Sequence, residues 1–391
     1  MFKAFKYRLY PNKSQKELIA KHIGSSRFVY NLALETKTTA YLGSKHNFSP
    51  FDLIKQLPDL KKECEWLKEV NSQSLQQSIQ NMDIAFKKFF KGAGFPRFKS
   101  KHRNRQSFAV PQNVMVENNL LIIPKFKEGI KMSLHRPTKG IIKSATISVT
   151  PTDKYFVSIL CDTTIETPIK TPIKENTTIG IDLGIKDFAI TSDGKVFNNP
   201  KNLRKAQSKL KYVQRRYSKY KGKRTKQKLA LLHEKVVNKR KDFLHKVSTE
   251  LIRENQTIAL ETLPVKNMIK NHNLAQAIGD ASWSTFVSML EYKADWYGKN
   301  ILRIGQFSPS SKTCSCCGYI NKELTLNDRS WTCPVCNSVL NRDINAAINI
   351  KSFALKNYLS GEHTLKNQDE LPTLVGVLTP EAQPIGYAVG G

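Results

Sequence analysis

The sequence predicts an α/β fold joined to a small β-barrel, and three observations predict it. Residues 177–197 read as strand, turn, strand, turn, strand, and are followed by long helices and further single strands. Residues 2–10 and 106–161 read as short strands separated by a helical stretch. Two Cys-x-x-Cys pairs stand just before the last helical run.

Taken in order, FKAFKYRLY (2–10) alternates as a strand does, and Pro11-Asn12 breaks it. Ser14 to Glu17 has the pattern of a capping box opening a helix. Helical periodicity runs on to about residue 90, most clearly at Leu75, Ile79, Met82, Phe86 and Phe89, a stripe suited to a core. In VMVENNLLII (114–123) the pattern predicts a hairpin with Asn118-Asn119 at its turn. These segments suggest a barrel over 1–11 and 92–165, interrupted by a helical domain over 12–91. The Thr- and Pro-rich stretch 163–176 reads as a linker, its core being 166–176.

Beyond the linker, 201–256 predicts long helices, 257–263 a strand, 282–300 an amphipathic helix, 301–307 a strand, and a final helix starts near 343. Three antiparallel strands and then alternating helices and strands match the ribonuclease-H order. They occupy 177–312 and 337–358, with the cysteine block 313–336 inserted. Residues 359–391 show no periodicity and are expected to be disordered.

The chain has 63 Lys and Arg against 32 Asp and Glu, a net charge of +31. Such an excess costs self-repulsion and calls for a polyanionic partner, most commonly nucleic acid. No stretch approaches the roughly 20 apolar residues of a membrane span, nor a signal peptide. A cytoplasmic protein with no membrane partner is expected. Five of the seven cysteines lie between Cys314 and Cys336, which argues for metal rather than a disulfide framework.

Cys314, Cys317, Cys333 and Cys336 have zinc-ribbon spacing, four thiolates for one tetrahedral Zn²⁺. A redox dithiol would not need two matched knuckles. Asp182 stands mid-strand in IGIDLG, where a buried carboxylate is costly unless paired or metal-bound. Gly180 and Gly184 beside it leave room for a backbone or ligand to approach. Glu261 ends a second apolar strand, and Asp343 opens the last helix, where it could serve merely as a cap. Any one acid alone would be a cap or a salt bridge. Three converging acids can hold two Mg²⁺ ions, or Mn²⁺ in their place, for phosphodiester hydrolysis.

Residues 201–246 carry 18 Lys or Arg against Glu234 and Asp242, too one-sided for pairing within a helix. Arg215, Arg216, Lys223, Arg224, Lys239 and Arg240 are the candidate phosphate contacts there. Arg97 and Lys99, interleaved with Phe95 and Phe98 in GFPRFKSK, are further candidates, since basic and aromatic residues together suit single strands or RNA.

These stretches together resemble the TnpB (OrfB) family of insertion-sequence proteins, relatives of compact type V CRISPR effectors. The resemblance runs from FKYRLYPNKSQ, SRFVYNLALE and GFPRFKSK through GIDLGIKDFA, HEKVVNKRKDFLHKVST and ETLPVKNM. It ends with SSKTCSCCG, WTCPVC and NRDINAAINI. It implies an RNA-guided DNA endonuclease: a wedge barrel with a recognition insertion, then a RuvC nuclease split by a zinc ribbon. Asp182, Glu261 and Asp343 fall on the family's three catalytic positions. A guide RNA from the transposon end would select the double-stranded DNA target. Asn341 stands where the family often has Asp. Relatives without the acids act as nuclease-silent regulators, but this chain keeps all three. An actin-like ATPase, which also opens on GIDLG, would need a second Gly-rich phosphate loop. The ribbon should also help fix where Asp343 points.

Overall fold

A computed structural model describes residues 1–102, 105–325 and 328–361; the expected disordered tail lies, from 362 on, outside the described residues. The chain forms two compact units, Met1–Ile165 and Glu166 onward.

The first unit opens with β1 (Phe2–Leu9), which runs into the 32-residue α1 (Lys13–Ser44). The capping box sits two residues earlier than the sequence pattern placed it. Asn12 Oδ1 accepts the Gln15 N–H at 2.8 Å, and the Gln15 side chain accepts the Asn12 N–H at 3.1 Å. The extended chain at Pro11-Asn12 lets the helix start at once, and a short carboxamide caps as well as a hydroxyl. Then come α2 (Pro50–Lys55), α3 (Leu57–Glu63) and α4 (Ser72–Phe90). The stripe Leu75, Ile79, Met82, Phe86 packs against Val29, Tyr30, Ala33 and Leu34 of α1.

Six strands follow: β2 (Gln106–Val110), β3 (Met115–Glu117), β4 (Leu120–Ile123), β5 (Phe126–Ser133), β6 (Ile141–Val149) and β7 (Tyr155–Asp162). With β1 they make one antiparallel sheet ordered β2-β6-β7-β1-β5-β4-β3. Asn118 and Asn119, at φ 48° and 60°, form the expected tight turn of the β3–β4 hairpin. Inward residues of all strands except edge β3 share one buried core, including Tyr7, Phe108, Leu121, Ile130, Ile147 and Val157. These are the strands of the expected small β-barrel, and among the described residues no ladder joins its edge strands β2 and β3.

The second unit is built on β8 (Thr178–Leu183), β9 (Asp187–Thr191), β10 (Val196–Asn198), β11 (Thr257–Glu261) and β12 (Asn300–Ile304). The order is β10-β9-β8-β11-β12, with β8, β11 and β12 parallel. Between β10 and β11 run α5 (Asn202–Tyr220) and α6 (Lys223–Glu254). Between β11 and β12 run α7 (Val265–Met268), α8 (His272–Ala281) and α9 (Trp283–Tyr297). A two-stranded ladder, β13 (Ser330–Thr332) with β14 (Val339–Asn341), precedes α10 (Arg342–Leu359).

Strand alternation divides the sheet's two faces. Ile179, Ile181, Leu183, Ile258 and Leu260 pack with Leu244, Val247 and Leu251 of α6 and Phe286, Met289 and Leu290 of α9. Ala259, Leu302 and Ile304 pack with Ile350 and Ala354 of α10. Gly180, Asp182 and Glu261 share the parity of this second face. Among the described residues no helix is long and apolar enough to cross a membrane.

Candidate active site and metal centre

Asp182 and Glu261 are brought side by side by strand register. Leu260 is the partner of Ile181 in the parallel β8–β11 ladder, so the next residues, Asp182 and Glu261, lie together on the face that α10 covers. Both stand at the carboxyl ends of their strands, where open α/β sheets bind ligands.

Asp343 is delivered by the close seating of α10 on β8. A Cβ at Gly180 would lie 2.0 Å from the Ala347 carbonyl oxygen and 2.8 Å from the Lys351 nitrogen. Only glycine allows this approach. Asp343 precedes Ala347 by one turn, about 6 Å of helix rise. Asp182 follows Gly180 by two residues, about 6.7 Å of strand. The contact point therefore carries the two acids toward each other.

The charges register this convergence. The Asp182 carboxyl is pushed up to about 7, first by burial and then by the negative charges of Glu261 and Asp343; nearby Arg342 offsets part of it. Burial likewise raises Glu261. Asp343 is paired at 3.5 Å with Arg329, which immediately precedes β13. The N-cap of α10 is Asn341, whose Oδ1 accepts the Asp343 and Ile344 N–H groups, both at 3.1 Å. Capping thus falls to Asn341, and the Asp343 carboxylate is left for other contacts. An Asp at 341 would supply the same acceptor oxygen.

The four cysteines form a second constellation. Their sulfurs all lie within 4.8 Å of one another. Cys314 and Cys336 sulfurs are 3.6 Å apart, and those of Cys317 and Cys333 3.5 Å. Four thiolates at about 2.3 Å from a tetrahedral Zn²⁺ would stand about 3.8 Å apart, so the set fits that ion. The two knuckles repeat one geometry. The Gly318 N–H donates to Cys314 O and the Asn337 N–H to Cys333 O, at 3.0 and 2.9 Å. Gly318 and Asn337 both take positive φ, 80° and 57°. Hydrogen bonding with Ser338 lowers the Cys336 thiol to about 6, while burial raises Cys314 and the Cys317 thiol is also raised, so without a cation the set shares its charge unevenly. Cys316 is exposed and stays outside the set.

The predicted phosphate contacts divide. Arg215, Arg216, Lys223, Arg224 and Lys239 are exposed on α5 and α6, and Arg97 is exposed before β2. Arg240 is turned inward, a correction to its assignment as a surface contact. It pairs with the buried Asp280 at 3.1 Å, and Asp280 also accepts the Leu203 N–H at 2.9 Å. A buried carboxylate requires such a partner, and the α6–α8 packing supplies it. Lys99 is likewise committed within the protein, its ammonium 3.6 Å from the Tyr30 ring centre and its pKa lowered by burial to about 8. The Asn31 carboxamide brackets the Lys99 backbone, accepting its N–H at 2.8 Å and donating to its carbonyl at 2.9 Å.

Three contributors were not read from the sequence: Arg329, Asn345 and Asn349. The asparagines had a visible signal, since Asn341, Asn345 and Asn349 repeat every four residues on one helix face. Arg329 had none.

The second unit is thus a mixed sheet with acids at its carboxyl edge and a four-cysteine ribbon spliced in before its last helix. Residues 158–272 match the OrfB family model described as "Probable transposase", and residues 283–350 match the Cas12f1-like TNB domain. Residues 1–45 match a model described as a helix-turn-helix domain; here they form a strand and one uninterrupted helix. A Streptomyces pristinaespiralis protein named "Putative RNA-guided DNA endonuclease" is 39% identical over 364 residues, covering 90% of this chain and 89% of its own length. Escherichia coli K12 "Putative RNA-guided DNA endonuclease InsQ" is 31% identical over 372 residues, covering 89% and 91%. The fold is similar to that in a Cas12f1–sgRNA–target DNA complex, with a TM-score of 0.54 at 14% identity over 90% of this chain and 98% of that one. The chain belongs to the TnpB (OrfB) family of transposon-encoded proteins.

Proposed function

We propose that this protein is an RNA-guided DNA endonuclease whose second unit is a RuvC-like nuclease with a zinc-ribbon insert. The first unit would be the wedge and recognition part. The observation that carries the reading is the gathering of Asp182 and Glu261, side by side by strand register, with Asp343 on the helix seated against Gly180; burial and the charges of Glu261 and Asp343 accordingly raise the Asp182 carboxyl. Three acids gathered at a sheet's carboxyl edge, in a chain of charge +31, fit a divalent-cation site within a nucleic-acid-binding protein.

Asp182, Glu261 and Asp343 would hold two Mg²⁺ ions, with Mn²⁺ as a substitute. When bound, these would supply water activation and leaving-oxygen stabilisation for phosphodiester hydrolysis. Gly180 and Asn341 position the acids. Arg329 holds Asp343 until a cation competes for it. The exposed cations of α5 and α6, with Arg97, would follow nucleic-acid phosphates, giving salt-sensitive binding. The guide, transcribed from the transposon end, would pair with double-stranded target DNA in the cytoplasm. The cysteine set would hold one Zn²⁺.

Protein co-expressed with its flanking transposon-end transcript is expected to retain that RNA and to cut matched plasmid DNA in Mg²⁺. Sequencing of co-purified RNA and a plasmid-cleavage assay check this. Random cellular RNA with no cutting would favour a general nucleic-acid binder. Metal analysis is expected to give one Zn²⁺ per chain; a fully folded chain without zinc would remove the ribbon's proposed metal.

A further inference from the structure

We propose that Asn345 and Asn349 are positioning residues that build the zinc knuckle onto the helix carrying Asp343, so that zinc retention and the order of that helix's first turn are coupled. The inference rests on reading the four cysteines as the zinc site.

Both asparagines are buried, 1% and 4% exposed. Asn345 brackets Cys314: its Nδ2 donates to the Thr313 carbonyl at 2.7 Å, and its Oδ1 accepts the Ser315 N–H at 2.9 Å. Asn349 Nδ2 donates to the same Thr313 carbonyl at 2.6 Å and to the Ser310 carbonyl at 2.8 Å. Helix α10 thus supplies hydrogen bonds that a loop backbone would otherwise lack in a buried setting. Cys314 is itself 1% exposed, so its sulfur has little freedom once its two flanking residues are fixed.

The other end of the ribbon is tied to the same helix. Strand β14 ends at Asn341, which is also the α10 cap, so no loop intervenes. The Arg342 N–H donates to the Arg329 carbonyl at 2.9 Å, and its guanidinium reaches the Thr325 and Asp328 carbonyls at 3.3 Å each. Side chains behind metal ligands typically alter metal affinity 10- to 100-fold when removed. By linkage, whatever holds the knuckle to α10 also makes zinc stabilise α10.

The test uses zinc-loaded full-length protein and a colorimetric chelator. Asn345→Ala is expected to release zinc at least about 10-fold faster than wild type. Ile350→Val, which trims the buried α10 core without touching the ribbon, should lower Tm and leave zinc release unchanged. Wild-type release by Asn345→Ala, or equal acceleration by Ile350→Val, overturns the coupling. A wild-type chain that binds no zinc overturns the metal reading itself.

A second measurement needs no variant. Stripping zinc from the wild type should speed hydrogen exchange at the Asp343 and Ile344 amides at least about 10-fold, the same factor applied through linkage, while Ala354 stays protected. Unchanged protection at Asp343 and Ile344 overturns the proposal even if zinc is bound.

Discussion

Asp182→Ala is expected to abolish DNA cleavage and to leave guide RNA bound. A catalytic divalent site supplies several kcal/mol of transition-state stabilisation, and each 1.4 kcal/mol is tenfold in rate, so the loss should be at least about 1,000-fold. The exposed lysines and arginines on α5 and α6, proposed above to contact nucleic acid, are untouched by the change. Cutting at the wild-type rate by Asp182→Ala would remove the catalytic assignment.

The Asp182 carboxyl at about 7 adds a stability signature. Its ordinary value is 3.8, so between about 4 and 7 the metal-free folded state binds a proton that the unfolded chain has released. Stability therefore falls as pH rises through that window, by on the order of 4 kcal/mol for a shift of this size. Asp182→Asn removes the charge and keeps the shape. It should raise the Tm of metal-free protein at pH 8 while cleavage is lost. Mg²⁺ should flatten the wild-type profile by favouring the ionised form. Thermal melts across pH 5–8, with and without Mg²⁺, check the sign. A wild-type Tm rising from pH 5 to 8 without Mg²⁺ would contradict it.

Gly180→Ala is expected to lower stability and cleavage together. The new methyl would meet Ala347 O and Lys351 N, backbone atoms that cannot yield unless α10 moves. Overpacking of this kind costs about 1–3 kcal/mol, and a reacting group displaced by about 1 Å can lose about 100-fold in rate. Gly24→Ala is the contrast: nothing lies within 4 Å of its Cβ, and it sits inside α1, where alanine is favoured by up to about 1 kcal/mol. Melting curves and single-turnover cleavage separate the two. Full activity in Gly180→Ala would show that the β8–α10 contact does not place Asp343.

Local patterns were readable wherever one short-range rule dominated. The 3-and-4 stripe of α4, the Asn-Asn turn and the two cysteine knuckles each depend on neighbours within a few residues. The capping box was misplaced by two residues because Asn12 and Ser14 both satisfy the N-cap preference, and only chain entry at Pro11 decides between them. Arg240 looked like its exposed neighbours, because charge patterning cannot show that Asp280, forty residues on, is buried against it. Lys99 misled for the same reason, its partner Tyr30 lying on a distant helix.

By itself, then, the sequence determined the element types, the polyanionic partner implied by +31, and the candidate acids and thiols. Those follow from residue chemistry and from periods of two or 3.6 residues. Tertiary structure decided what the acids do to one another. Strand register puts Glu261 beside Asp182, and the Gly180–Ala347 contact brings Asp343 to them. It also decided that Asn345 and Asn349 are hydrogen-bonded to the backbone flanking Cys314. Such contacts join residues up to about 170 positions apart along the chain, as Gly180 and Lys351 are, and only the packing of a helix on a sheet brings them within reach.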